Sequence, residues 1–273
     1  MKILCSNIVT VIMIHERRFF LMQYFWETVE SLKAAKIKNV GFEHFDSTHM
    51  FWLVICLAVC VLFSVLYRRA KPENRKILRI YLASVIVVLE VIKLIGLFAT
   101  GSFTIKYLPL HLCSINIFII AIHAFKPTKT LDNFLYLLGI PGAFLAMLIP
   151  TWTELPIDNF MHMFSFGMHV FLLAYPIMVT VGGDIKPELR HVPKVLALLI
   201  IFAAVAYAVN SSPAGQEIRP NFMFLQSASD IAPLRFFKKH CGTHLVAFPV
   251  ILAGVIALFY APPTIWRYVK KKK

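Results

Sequence analysis

Residues 77–99 read ILRIYLASVIVVLEVIKLIGLFA, twenty-three positions at which only Arg79, Glu90 and Lys93 carry charge. Wound as an α-helix at ~1.5 Å per residue, the stretch is longer than the ~30 Å hydrocarbon core of a bilayer. A helix pairs every backbone polar group within itself, which is what a segment in lipid requires. Comparable apolar runs lie at 50–67, 107–125, 131–150, 160–181, 194–210 and 245–265. Together they predict an all-α, polytopic membrane bundle of seven transmembrane helices. Pro109, Pro141, Pro176 and Pro249 fall in or near these runs, where membrane helices tolerate kinks.

Composition agrees with this reading. The chain is 59% hydrophobic and 15% charged, against roughly 45–50% and 25% in ordinary soluble domains. A soluble enzyme, a disordered chain and a disulfide-rich secreted scaffold are excluded. The formal charge of +14 would suggest nucleic acid on a soluble domain, but here the basic residues cluster between apolar runs and read as topology. No nucleic-acid partner and no disulfide framework are expected from this charge pattern and the five cysteines.

With the C-terminus inside, the inner connections hold sixteen Lys and Arg, from Arg68 to Lys76 and Arg79, then Lys126, Lys129, Lys186, Arg190, Lys194 and the terminal run Arg267 to Lys273. The outer connections hold Lys106, Arg219, Arg235, Lys238 and Lys239, and the basic N-terminal tail partly opposes the trend. The short loops carry the orientation signal, so the N-terminus is placed outside and the C-terminus in the cytoplasm of a cell membrane. The resulting organisation is an extracytoplasmic tail (1–48, with 1–21 loosely held), a seven-helix domain (49–265) and a basic tail (266–273). The apolar stretch after Lys2 runs into His15-Glu16-Arg17-Arg18, so a cleavable signal is not expected. Residues 211–244 form a long outer connection containing Asn221-Phe-Met-Phe-Leu225, a candidate lid.

Polar groups at membrane depth are functional candidates because desolvation makes them costly. Counting along the runs places Glu90 and Lys93 roughly 14 and 9 Å below the outer boundary, with Asn116 and His169 also at roughly 14 Å. His111 and Cys113 lie in the same layer, while His49, His162 and Asn210 lie near the outer face. A single pocket open toward the outer leaflet accounts for them. The inner halves carry few ionisable groups away from the boundary, His123, close to the end of its run, being the main exception.

Each has a plainer reading. Glu90 and Lys93, three apart, can neutralise each other. His49 can be a helix-end residue, Asn116 interhelical glue, and Cys56 and Cys60 packing residues. Residues i and i+2 point about 200° apart on a helix, so His111 and Cys113 share a site only if Pro109 distorts the first turn. Cys113 and Asn116 share a face. His169 is then the best-placed base for Cys113, and Asn116 or Asn221 the donor to an oxyanion.

Tyr107-Leu-Pro-Leu-His-Leu-Cys-Ser114 at the head of the third run resembles the hallmark of the YwaF-like and transmembrane protein 164 family of integral membrane proteins. Phe42-x-x-Phe45-x-x-x-His49, the pair His162 and His169, and Asn221 to Leu225 fit the same pattern across roughly residues 40–265. The stretch at Cys241-Gly242-Thr243 departs from it. The resemblance implies a seven-span fold and a cysteine-dependent acyltransferase moving fatty acyl chains between phospholipids. Cys113 would carry the acyl group, assisted by His169 or His111. Glu90, Lys93, Asn116, His162, Asn221 and His49 would surround a lipid substrate, with no cofactor and no metal. The alternatives are a multi-pass transporter or solute-binding protein using Glu90, Lys93 and the histidines, and a haem or metal site held by His111 and His169.

Overall fold

The structure is a computed structural model describing residues 24–37, 40–229 and 231–271, with side chains through 262. The predicted loose tail at 1–21 lies outside the described residues, as do the side chains of the basic tail at 266–273. Every regular element among the described residues is helical. The main elements are α1 (Val29–Ala34), α2 (Ser47–Arg69), α3 (Pro72–Ala99), α4 (Leu112–Phe125), α5 (Lys129–Leu148), α6 (Phe160–Val181), α7 (Val192–Ser211), α8 (Pro213–Ile218), α9 (Ala232–Cys241) and α10 (Ala247–Lys271).

Six of these helices are long and apolar enough to cross a membrane. The run at 107–125 differs from its expectation. Its helix starts only at Leu112 and has 14 residues, a rise of about 21 Å. Ile105–Tyr107 is a separate 3₁₀ turn, and Leu108 and His111 are extended. The cause is local, because a residue preceding proline is driven out of the helical region and Leu108 precedes Pro109.

The bundle is arranged around α6. Over half of its most apolar stretch is buried (56%), against 22% in α2 and 11% in α10, and α2, α3, α4 and α5 all pack on it. The outward faces are apolar: Phe51, Leu57 and Leu62 on α2 and Ile200 and Ile201 on α7 are exposed. Water would make such surfaces an aggregation hazard, and lipid removes the problem. A multi-pass membrane protein is the consequence.

Pro141 shapes α5. Lacking an N–H, it cannot complete the α-helical ladder, and Leu135–Gly139 winds as a π turn in which the Ile140 N–H reaches back to the Leu135 carbonyl. The wider turn brings Gly139 against α4. A Cβ there would stand 3.4 Å from the Asn116 amide.

One end of the bundle holds more buried polar groups than its sequence suggests. His123 contacts the Tyr175 hydroxyl at 2.8 Å through Nδ1 and Asp132 Oδ1 at 3.0 Å through Nε2. Asn133 accepts from the Tyr260 hydroxyl and the Glu188 N–H and donates to the Lys129 carbonyl. Nearby, Asp184 accepts from Tyr67, Arg75 and Arg79. The acidic and basic groups among these gather at the boundary, where the expectation of few ionisable groups deeper in the inner halves does not reach. Asp132 and Asp184 sit at run boundaries and the tyrosines inside runs, where a hydropathy reading passes over both.

Candidate functional site

The opposite end, formed by the starts of α2, α4, α6 and α10 and the ends of α3, α5 and α7, carries the predicted site. Residues 24–28 lie across it. Asn159 caps α6 with its Oδ1 and donates from Nδ2 to the carbonyls of Tyr24 (2.6 Å) and Glu27 (2.8 Å). Trp26 lies over Gly96, where any larger side chain would collide with its indole. Lys106 pairs with Glu30 at 3.0 Å, tying α1 to the turn that precedes α4. Burial pushes the Glu30 carboxyl up, but Lys106 outweighs it and holds it below the ordinary range.

Cys113 sits in the first turn of α4. It is partly exposed and packs against the core of the bundle. One turn on, on the same face, Asn116 is 1% exposed. Its Oδ1 is fully buried without a hydrogen-bond partner, and no described residue bonds its amide group. Buried amides are ordinarily satisfied, so this unpaired one is an exception.

His169 is also partly exposed. Its ring lies flat against Trp152, centroids 5.0 Å apart at 19°, and its Nδ1 is 2.7 Å from the Ser165 carbonyl. A carbonyl only accepts, so Nδ1 carries the proton and Nε2 presents its lone pair. No described residue engages that lone pair. His111 is set the other way. The Met223 N–H donates to its Nδ1 over a long 3.4 Å, leaving Nε2 as an N–H donor, while Phe222 and Phe224 pack on the ring at 5.3 and 5.7 Å. Because His111 is extended and not helical, the 200° separation from Cys113 expected for helical neighbours does not apply.

The other predicted residues divide clearly. Glu90 and Lys93 form a buried pair at 2.6 Å, with Lys93 Nζ 5.2 Å from the centre of the Phe164 ring, so each neutralises the other. His49 uses both nitrogens: Nδ1 accepts from the Phe45 N–H and Nε2 donates to the Met147 carbonyl, bolting α2 to the end of α5. His162 accepts from the Trp52 indole at 3.1 Å within an aromatic cluster that includes Phe42 and Phe166. Asn221 spends its amide on Ser227, Ser229 and Gln226, shaping its own loop. Uncommitted polar atoms therefore remain on Cys113, Asn116 and His169, at the His111 Nε2–H and at the buried Nδ1 of His162, and no hydrogen bond links Cys113 to either His111 or His169 among the described residues. No cluster of three or more metal-ligating side chains occurs among the described residues.

Sequence reasoning missed Trp152, which fixes the His169 plane, and Gly139, which lets α5 approach Asn116. Trp152 lies in a connection outside the apolar runs. Pro141, two residues after Gly139, was the signal for the π turn.

This geometry was compared with known proteins. The family model described as the TMEM164 family matches residues 40–260. The chain belongs to the TMEM164 family. No curated protein and no solved structure matches it. The matched residues take in Cys113, Asn116, His111 and His169, and leave the N-terminal segment outside the family's common part.

Proposed function

We propose that this TMEM164-family chain is a phospholipid acyltransferase or transacylase of the cell membrane, with Cys113 as nucleophile and His169 as general base. The observation that carries the proposal is the His169 tautomer: a Nδ1–H held by a backbone carbonyl leaves an Nε2 lone pair that no described residue engages. In this reading α4, continued by the extended residues before it, makes a seventh crossing. The N-terminus lies outside, the C-terminus in the cytoplasm, and the Cys113 end faces the outer leaflet.

A lipid ester enters with its carbonyl carbon against Cys113 Sγ. Nε2 of His169 takes the thiol proton as sulfur attacks, directly or through a bridging water. The Asn116 amide and the His111 Nε2–H supply hydrogen bonds to the tetrahedral oxyanion. The C–O bond then breaks, the departing lysolipid alkoxide takes the proton from His169, and a thioester remains on Cys113. An acceptor hydroxyl reverses the sequence: its proton passes to His169, its oxygen attacks the thioester, the C–S bond breaks and the thiolate is reprotonated. A site poor in water protects the thioester from hydrolysis.

The test is intact-protein mass spectrometry after incubation with phospholipid. A fatty-acyl adduct on Cys113, released by hydroxylamine, is expected. In the Cys113→Ala variant the adduct disappears and transfer falls by ~10³-fold or more, as when a catalytic nucleophile is deleted. A folded Cys113→Ala protein that transfers acyl chains at the normal rate would overturn the assignment.

A further inference from the structure

Beyond the end of α7 lies a crevice of about 500 Å³ lined by Gln216, Arg219, Asn221, Gln226 and Ser227. Its lining carries one formal charge, the Arg219 guanidinium, which makes no ion pair with any described residue. Its loop is unusually constrained. Arg219, Asn221, Met223, Phe224 and Ser229 all adopt positive φ, a left-handed conformation that costs energy in residues with bulky side chains. The strain is held in place from several sides. Asn210, fully buried at the end of α7, exchanges two hydrogen bonds with the Phe222 backbone. Gln226 Nε2 donates to the Asn210 carbonyl, and Asn221 ties Ser227 and Ser229 together. The same turn presses Phe222 and Phe224 onto His111, two residues from Cys113.

We propose that this crevice is a phosphate-binding subsite in which Arg219 and the Ser227 hydroxyl hold the headgroup phosphate of a phospholipid. A guanidinium matches two phosphate oxygens at once, and a hydroxyl supplies a third hydrogen bond. Depth favours a lipid source. The crevice begins where α7 ends and its Arg219, Gln226 and Ser227 are exposed, so with the apolar length of α7 set in a bilayer it would face the headgroups, and Cys113, in the first turn of α4, would lie nearer the acyl esters. The subsite rests on the acyl-transfer reading for its purpose but not for its occupancy.

The experiment measures binding to the full chain in neutral-detergent micelles. The probes are submicellar dihexanoylphosphatidic acid, dihexanoylglycerol and inorganic phosphate. The phosphatidic acid is expected to bind, and Arg219→Gln to weaken it at least ~tenfold by removing a charge-assisted pair. Arg219→Lys, a point charge without the fork, is expected to fall between the two. Lys238→Gln, which removes one charge from α9, should change binding less than twofold. Equal binding by Arg219→Gln, an equal loss in Lys238→Gln, or dihexanoylglycerol binding as well as the phosphatidic acid would overturn the subsite. Inorganic phosphate binding in an Arg219-dependent way, without the lipid, would overturn the lipid source. Cys113→Ala is expected to bind like the unaltered chain. In the unaltered chain, Arg219-dependent binding of the phosphatidic acid without any acyl adduct on Cys113 after incubation with phospholipid would retain the subsite and reject the acyl-transfer reading.

Discussion

The two ends of the bundle treat buried polar groups in opposite ways. At the His123 end, an imidazole has both nitrogens occupied, Asp132 meets His123 and Lys129, and Asp184 takes three donors. Exceptions remain there, Arg79 Nε, Ser64 Oγ and His191 Nε2, but the carboxylates of Asp132 and Asp184 are engaged. At the Cys113 end, the Asn116 amide, the His169 lone pair and the His111 Nε2–H have no protein partner among the described residues. Folding alone favours the first arrangement, because an unpaired buried group gives up its hydration for nothing. Under the proposed function this difference separates scaffold at one end from a ligand site at the other.

The sharpest way to break this contrast is at the scaffold. Asp132→Ala would strand His123 and Tyr175 in the interior, and a loss of ~3–5 kcal/mol in stability is expected, as for a broken buried pair. Chemical unfolding in detergent reads it. A shift below 1 kcal/mol, on the scale of an exposed pair, would show that the network is not structural. At the other end, His169→Gln should leave the melting temperature near that of the unaltered chain while acyl transfer drops by ~10²-fold or more, the contribution of a general base. Loss of stability and activity together would make His169 another scaffold residue.

Asn116→Leu sharpens the comparison further. It exchanges an unsatisfied amide for an apolar group of similar volume, so stability is expected to rise by ~1–2 kcal/mol while activity falls. A destabilised Asn116→Leu protein would mean the amide is already satisfied. The smallest effect concerns the cap of α2. The Asp46 carboxylate accepts from the His49 N–H at 2.8 Å, which holds it below the usual range. Because the folded-state value is depressed, its stabilisation is present above the unfolded value and is lost as pH falls through the folded one. Asp46→Ala is expected to cost ~1 kcal/mol near neutral pH, a difference that shrinks on acidification. A pH-independent difference would remove the charge from the explanation.

Much of this protein was legible in residue order. Length and hydropathy place the long apolar helices, though not every end, since backbone pairing in a bilayer leaves few other solutions; the helix in the run at 107–125 starts five residues late, at Leu112. For α6 the predicted range 160–181 and the helix coincide. The shared face of Cys113 and Asn116 follows from helical spacing in the same way, and the resemblance at Tyr107 to Ser114 pointed to the family that residues 40–260 match. Partnership between helices did not follow. His49, His162 and His169 look alike in one dimension, and only packing separates a bolt, an aromatic-cluster member and an uncommitted base. The distinction rests on which carbonyl, indole or ring each imidazole meets. Those contacts are made between residues up to 110 positions apart, such as Trp52 and His162. Local periodicity sets the helices, whereas the pairing of polar atoms is decided only when the helices are brought together.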